Sequence, residues 1–175
     1  PRSDSETVIE AARGAFADGP GPKRILDLGT GSGALLLTAL NIWPEAEGRG
    51  LDCSAEALFV AIRNAQRLAN TTIAFLGKGP DALPPQNPDA GFARFIQGDW
   101  TKRGWREHLG AFDLVVANPP YVEDGAPLDA SVRDFEPAGA LFAGPEGLEA
   151  YRLLIPQLPG LLTPEGVAVF EIGYA

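Results

Sequence analysis

The residues best suited by type and spacing to do chemistry are Asn118, Pro119, Pro120 and Tyr121, which close the apolar run Phe112-Asp113-Leu114-Val115-Val116-Ala117. A carboxamide nitrogen is a poor nucleophile because its lone pair is delocalised into the carbonyl. A protein that alkylates such a nitrogen must hold acceptors for both N–H groups where charge develops. Asn118 offers a side-chain oxygen and Pro119 a carbonyl. The prolines stiffen the segment, so little ordering entropy is lost at the moment of reaction. Tyr121 can pack against a planar group. No general base is required before transfer, since the alkylated nitrogen becomes acidic and releases its proton.

A second constellation lies upstream. The apolar stretch Arg24-Ile25-Leu26-Asp27-Leu28 runs directly into Gly29-Thr30-Gly31-Ser32-Gly33. A strand that turns into a helix through glycines lets the backbone approach a ligand closely, with helix N–H groups aimed at it. Asp52 ends the next strand, near the spacing at which an acidic residue accepts hydrogen bonds from ribose hydroxyls. A charged acceptor there is worth about 1.5–3 kcal/mol. Gly29, Gly31 and Ala34 formally satisfy the dinucleotide pattern with alanine at its third position, so a dehydrogenase stays open on the loop alone. A nucleotide-like cofactor on one side and a planar amide or amine on the other point to methyl transfer.

The elements that must position these groups alternate between strand and helix signals, which predicts a mainly parallel sheet covered on both faces. The predicted strands are Arg24 to Leu28, Gly48 to Asp52, Ala93 to Gln97, Phe112 to Ala117 and Val167 to Ile172. Thr71 to Phe75 is a further strand candidate. A helix rich in leucine follows the glycine loop and ends near Pro44. The next begins at Ser54 as N-cap, with Leu58, Ala61, Ile62, Ala65 and Leu68 toward the sheet and Arg63, Asn64, Gln66 and Arg67 toward water. A third, around Glu146 to Leu158, places Leu148, Tyr151, Ile155 and Leu158 on one face, and Pro156 predicts a kink or early break. Gly77 to Gly91 holds Pro80, Pro84, Pro85 and Pro88 and reads as an exposed insertion within a single domain spanning 1–175.

Composition narrows the function classes. The chain has 175 residues, 45% of them hydrophobic, and a net charge of −9. That balance disfavours broad phosphate-backbone binding, which calls for a basic patch. One cysteine and one histidine leave no metal-binding spacing and no intrachain disulfide. No apolar stretch is long enough to span a bilayer, and no signal peptide is visible. A reducing compartment is expected. His108 is expected at the surface, Cys53 as a packing residue, Trp43 and Trp105 as packing residues, and Glu123 with Asp124 as a solvated acidic rim.

The chain resembles the PrmC/HemK family of N5-glutamine methyltransferases, which modify the Gly-Gly-Gln motif of peptide-chain release factors. The resemblance rests on Pro1 to Glu6, on Asp27 to Gly33, on Gly98-Asp99-Trp100 and on Asn118 to Tyr121. Val132 to Pro137 with Arg133, Gly144 to Leu148 and Phe170 to Gly173 complete it. It implies a Rossmann-like class I S-adenosylmethionine-dependent methyltransferase fold, an α/β architecture whose C-terminal strands are missing here. By the same resemblance Gly29, Thr30, Gly31, Ser32, Gly33, Asp52, Trp100 and Asn118 would line S-adenosylmethionine. Asn118, Pro119, Pro120 and Tyr121 would hold the substrate amide, with Asn118, Pro119 and Tyr121 as the catalytic set. The implied partner is a release factor, in a bacterial cytoplasm or a mitochondrial matrix.

The resemblance has departures. Ser5 stands where the family has threonine and Ser3 where it has proline; the insertion is long. The chain begins at Pro1, lacks methionine and stops at Ala175, as expected of a piece of a longer protein. Asn-Pro-Pro-Tyr is shared with adenine N6-methyltransferases, so a nucleic-acid methyltransferase is the alternative enzyme. A cofactor-binding module without activity is the alternative from another class.

Overall fold

Strand β1, Arg24–Leu28, occupies the middle of the molecule and is almost wholly buried. In the computed structural model, which describes residues 3–68, 92–123 and 144–173, four more strands flank it. These are β2 (Glu47–Asp52), β3 (Phe92–Gln97), β4 (Phe112–Ala117) and β5 (Leu162–Phe170). The sheet order is β3-β2-β1-β4-β5 and every pairing is parallel. Buried on both faces, such strands read as apolar runs rather than alternations, which is why β1 and β4 have the limits their sequences predict.

Helices cover both faces. α1 (Ser3–Ala15), α2 (Ala34–Ile42) and α3 (Ala55–Arg67) share one apolar cluster, with Val8, Leu36, Leu40, Leu58 and Ala61 against Ile25, Leu114 and Val116. On the other face α4 (Glu149–Leu154) and a 3-10 helix (Ile155–Gly160) bring Leu154 and Leu158 onto Leu26, Leu51, Phe112 and Val115. The loop before β4 adds Leu109. Arg24 and Arg49 both donate to the Leu109 carbonyl, at 3.1 and 2.8 Å, which fixes that loop.

Several local expectations are corrected. α1 was not foreseen, although Val8, Ile9 and Ala12 are buried at helical spacing. In α4 the buried residues are Ala150, Tyr151 and Leu154, whereas Leu148 and Ile155 are exposed. Pro156 converts the segment to a 3-10 helix, so the 3.6-residue period breaks at Ile155. β5 starts earlier than predicted. Pro164, Glu165 and Gly166 sit within it as an irregularity, since Phe112 pairs with Leu162 while Leu114 pairs with Val167. An edge strand tolerates such a proline. The Thr71–Phe75 strand candidate, the insertion at 77–91 and the Val132–Pro137 block with Arg133 lie outside the described residues.

Candidate functional site

The sheet register collects the predicted site residues along one edge. Leu28 pairs with Leu51 on one side and with Ala117 on the other, and Ala117 pairs with Phe170. The residues one step further, Gly29, Asp52, Asn118 and Glu171, therefore stand in a row at the C-terminal ends of four neighbouring strands. The chain leaves β1 toward β2 on one side and returns as β4 on the other. That reversal opens a crevice at the strand ends, where open α/β sheets bind ligands.

The glycine loop is shaped by backbone that side chains rarely adopt. Gly29, Gly31 and Gly33 have φ of 70°, 53° and 80°. The Gly29 and Thr30 N–H groups donate to the Leu51 carbonyl at 2.8 and 2.9 Å. The Gly31 N–H donates to Asp52 Oδ2 at 2.8 Å, and the Ser54 N–H donates to Asp52 Oδ1 at 2.9 Å. Asp52 is thus half-buried with its carboxylate oriented, and each oxygen keeps a further lone pair for a diol. Ser54 acts as the predicted N-cap, its hydroxyl accepting from the Ala57 N–H at 3.1 Å.

Two residues that the sequence reading left out of the site hold the loop from behind. Asp27 is 1% exposed. Its Oδ2 accepts from the Thr30 hydroxyl at 2.6 Å and from the Leu36 N–H at 3.2 Å. It thereby caps α2, whose N-cap Gly33 has no side chain for the task. Burial is the largest influence on its carboxyl and pushes its pKa up from 3.8 to about 7. The bonds from Thr30 and Leu36 oppose that rise and the Asp52 charge adds to it. Its Oδ1 is buried without a hydrogen-bond partner. An acid inside an apolar strand was the available signal. Asn64, expected on the wet side of α3, is half-buried and donates to the Ser32 carbonyl at 3.0 Å. Nothing in its spacing distinguished it from its solvated neighbours.

Trp100 reaches the same loop. A Cβ placed on Gly29 would stand 3.0 Å from the Trp100 ring, so the indole lies against the glycine turn as well as against the second apolar cluster. Asp99 beside it accepts from the Thr101 N–H and hydroxyl at 2.9 and 2.6 Å.

Across the crevice, Asn118 is half-buried and Pro119 buried. Pro120 and Tyr121 follow, half-buried, and turn toward the end of β5. The Tyr121 ring packs on Gly173, where a Cβ would approach it to 2.6 Å. The Tyr121 carbonyl occupies the space a side chain on Gly147 would need. Tyr121 is therefore seated between the two late blocks of the sequence. Glu171, buried at 6% exposure, donates its N–H to the Ala117 carbonyl at 2.9 Å. The Tyr151 hydroxyl donates to the Glu171 carbonyl at 2.9 Å. The sequence places Tyr151 on a helix face and Glu171 in the last block of the resemblance, without giving either a role in the site.

The residues set aside divide. Trp43 meets Phe16 edge to face, and Trp105 Nε1 donates to Gln157 Oε1 at 2.8 Å. His108 is exposed. Cys53 is exposed rather than packed, because it follows Asp52 past the end of β2. Glu123 is exposed; Asp124 lies outside the described residues. Among the described residues no cluster of three or more potential metal ligands exists, and no helix is long and apolar enough to cross a membrane.

No family model matches the chain. It is 42% identical over 175 residues to a release factor glutamine methyltransferase of Rhodospirillum rubrum, covering 99% of this chain and 46% of that protein. The protein of the same name in Caulobacter vibrioides is 39% identical, with 99% and 53% covered. That of Moorella thermoacetica is also 39% identical, with 99% and 53% covered. The chain thus spans about half the length of the curated relatives it matches. Among solved structures, a SAM-dependent methyltransferase from Agrobacterium tumefaciens superposes with a TM-score of 0.57 at 18% identity, covering 95% of this chain and 44% of that one. A SAM-bound amino pentose methyltransferase from Micromonospora echinaspora gives a TM-score of 0.54 at 20% identity, with 99% and 52% covered. The chain has the class I methyltransferase fold and is, over nearly all its length, a relative of the release factor glutamine methyltransferases.

Proposed function

We propose that this chain carries S-adenosylmethionine-dependent methyl transfer to N5 of the glutamine in the Gly-Gly-Gln motif of a peptide-chain release factor. One observation carries the reading: Gly29 and Asn118, from two motifs nearly 90 residues apart, directly follow the paired residues Leu28 and Ala117. The cofactor loop and the amide-binding tetrapeptide are thereby neighbours across one crevice.

The residues fit the cofactor. Glycine at 29 lets the Trp100 indole lie against the turn, and Asp52 presents an oriented, half-buried carboxylate for ribose hydroxyls. When bound, S-adenosylmethionine supplies an electrophilic methyl group on a sulfonium. Gly29 to Gly33 would hold it by backbone contact, with Asp27, Thr30 and Asn64 keeping the loop in shape. Asn118 and the Pro119 carbonyl accept the two N–H groups of the substrate amide and turn its nitrogen lone pair toward the methyl carbon. Held there, the amide nitrogen would be placed to accept the methyl group that the sulfonium gives up together with its bond to carbon. One N–H proton leaves to water, so no protein base is consumed. Pro120 and Tyr121 wall the pocket. The proposed partner is a release factor, in a bacterial cytoplasm or a mitochondrial matrix.

The test is methylation of an unmodified release factor by the full-length protein with S-adenosylmethionine, read by peptide mass spectrometry. A single methyl on the glutamine of Gly-Gly-Gln is expected. Methyl appearing on adenine in a parallel nucleic-acid reaction, with the release factor unmodified, would transfer the assignment to the other enzyme class that shares the tetrapeptide.

A further inference from the structure

Next to the tetrapeptide, between α1 and the C-terminal end of β5, lies a cavity of about 590 Å³. Its lining includes Thr7, Val8 and Ala11 of α1, Tyr121 of the tetrapeptide, and Glu171 and Ile172 past β5. We infer that this cavity receives the stretch of release-factor polypeptide adjoining the methylated glutamine, so that it is a docking subsite of the same active site. The inference rests on the functional reading above and extends it to the substrate backbone.

Three observations support that occupant. The first is size. Pockets that hold drug-sized ligands run to about 300–1,000 Å³, so the cavity has room for several residues beyond one amide side chain. The second is continuity. Tyr121 both closes the amide-binding tetrapeptide and lines the cavity, and Glu171 is tied by its N–H to Ala117, the residue before Asn118. A chain whose glutamine reaches Asn118 would therefore pass this opening.

The third is chemistry. α1 turns Val8, Ile9 and Ala12 into the core and leaves Thr7 and Ala11, one turn apart, exposed toward the opening. Their small side chains keep the space clear. Ile172, 74% exposed, stands at the other rim. A mostly apolar cavity on a chain of net charge −9 favours an apolar or positively charged segment and disfavours an acidic one.

The experiment compares Ala11→Trp, Thr7→Gln and Thr7→Glu in the full-length protein with release factor as the varied substrate. These positions are exposed, so the core is untouched. Ala11→Trp should raise the KM for release factor about tenfold while kcat and the S-adenosylmethionine Kd stay within about twofold. Thr7→Glu should raise that KM severalfold more than Thr7→Gln, which has the same size without the charge. Unchanged KM in Ala11→Trp, or equal KM in the two Thr7 variants, would overturn the inference while leaving glutamine methylation intact. A wild-type protein that does not methylate release factor would overturn the functional reading and this inference with it.

Discussion

The Asp52 carboxylate and the Gly31 N–H, 21 residues apart in the chain, meet at 2.8 Å. That bond ties the end of β2 to the glycine turn after β1, so the group suited to a ribose also shapes the loop suited to the rest of the cofactor. Asp52→Ala removes the charged hydrogen bonds from the Gly31 and Ser54 N–H groups, each worth about 1.5–3 kcal/mol. Cofactor affinity should fall about tenfold or more in calorimetric titration, with a lower melting temperature in the same preparation. Unaltered affinity would take Asp52 out of the binding site.

Asp27 gives the fold a defined pH response. Its carboxyl is protonated up to about pH 7 in the folded chain, against an ordinary value of 3.8. Below the unfolded value both states hold the proton, and its folded-state preference for the neutral form is fully satisfied. As pH rises from about 4 to about 7, the unfolded chain releases the proton first, so stability is lost through that window and then levels off. A shift of this size corresponds to a few kcal/mol, at about 1.4 kcal/mol per unit. Asp27→Asn cannot titrate, so denaturant midpoints should show wild type losing stability relative to the variant across that range. Parallel pH profiles would contradict the assignment.

At Gly29 two constraints coincide, a φ of 70° and the Trp100 ring 3.0 Å from any added Cβ. Gly29→Ala should cost about 1–2 kcal/mol for the left-handed backbone and push the indole off the loop. Intrinsic fluorescence would register that displacement alongside weaker cofactor binding. An unshifted spectrum with full affinity would show that the turn has room to spare.

Asn64→Ala tests a residue that acts only through another. Losing its bond to the Ser32 carbonyl should cost about 0.5–1.5 kcal/mol of stability. Cofactor affinity should weaken a few-fold with kcat unchanged at saturation. A fall in kcat at saturating cofactor would mean that Asn64 does more than hold the loop.

The parts legible in sequence are those governed by local rules. β1 and β4 are continuous apolar runs buried on both sides, so their limits follow from composition. Ser54 is a cap by chemistry, and Pro156 ends α4 because its ring forbids the next helical bond. The candidate site residues stand out for a related reason: glycines, an acid at a strand end and a proline-bounded asparagine fall at the chain turns that the register gathers along one edge of the sheet.

What escaped depends on contacts distant in sequence. Asn64 looks like Gln66 and Arg67 until α3 is laid against the glycine loop. Glu171 reads as the tail of a strand until β5 pairs with β4 and brings it beside Asn118. Ile155 has the right spacing for the core, and only the change to 3-10 geometry turns it outward.

The division of labour across the crevice is tested most directly by comparing Asp52→Ala with Asn118→Ala in release-factor methylation as S-adenosylmethionine is raised to saturation. In the proposed mechanism Asp52 serves the cofactor, so the rate of its variant should climb back toward wild type at high cofactor. In the same proposal Asn118 serves the substrate amide where charge develops, so its variant should stay about a hundredfold or more below wild type at every concentration. Recovery of Asn118→Ala at saturating cofactor would contradict the account.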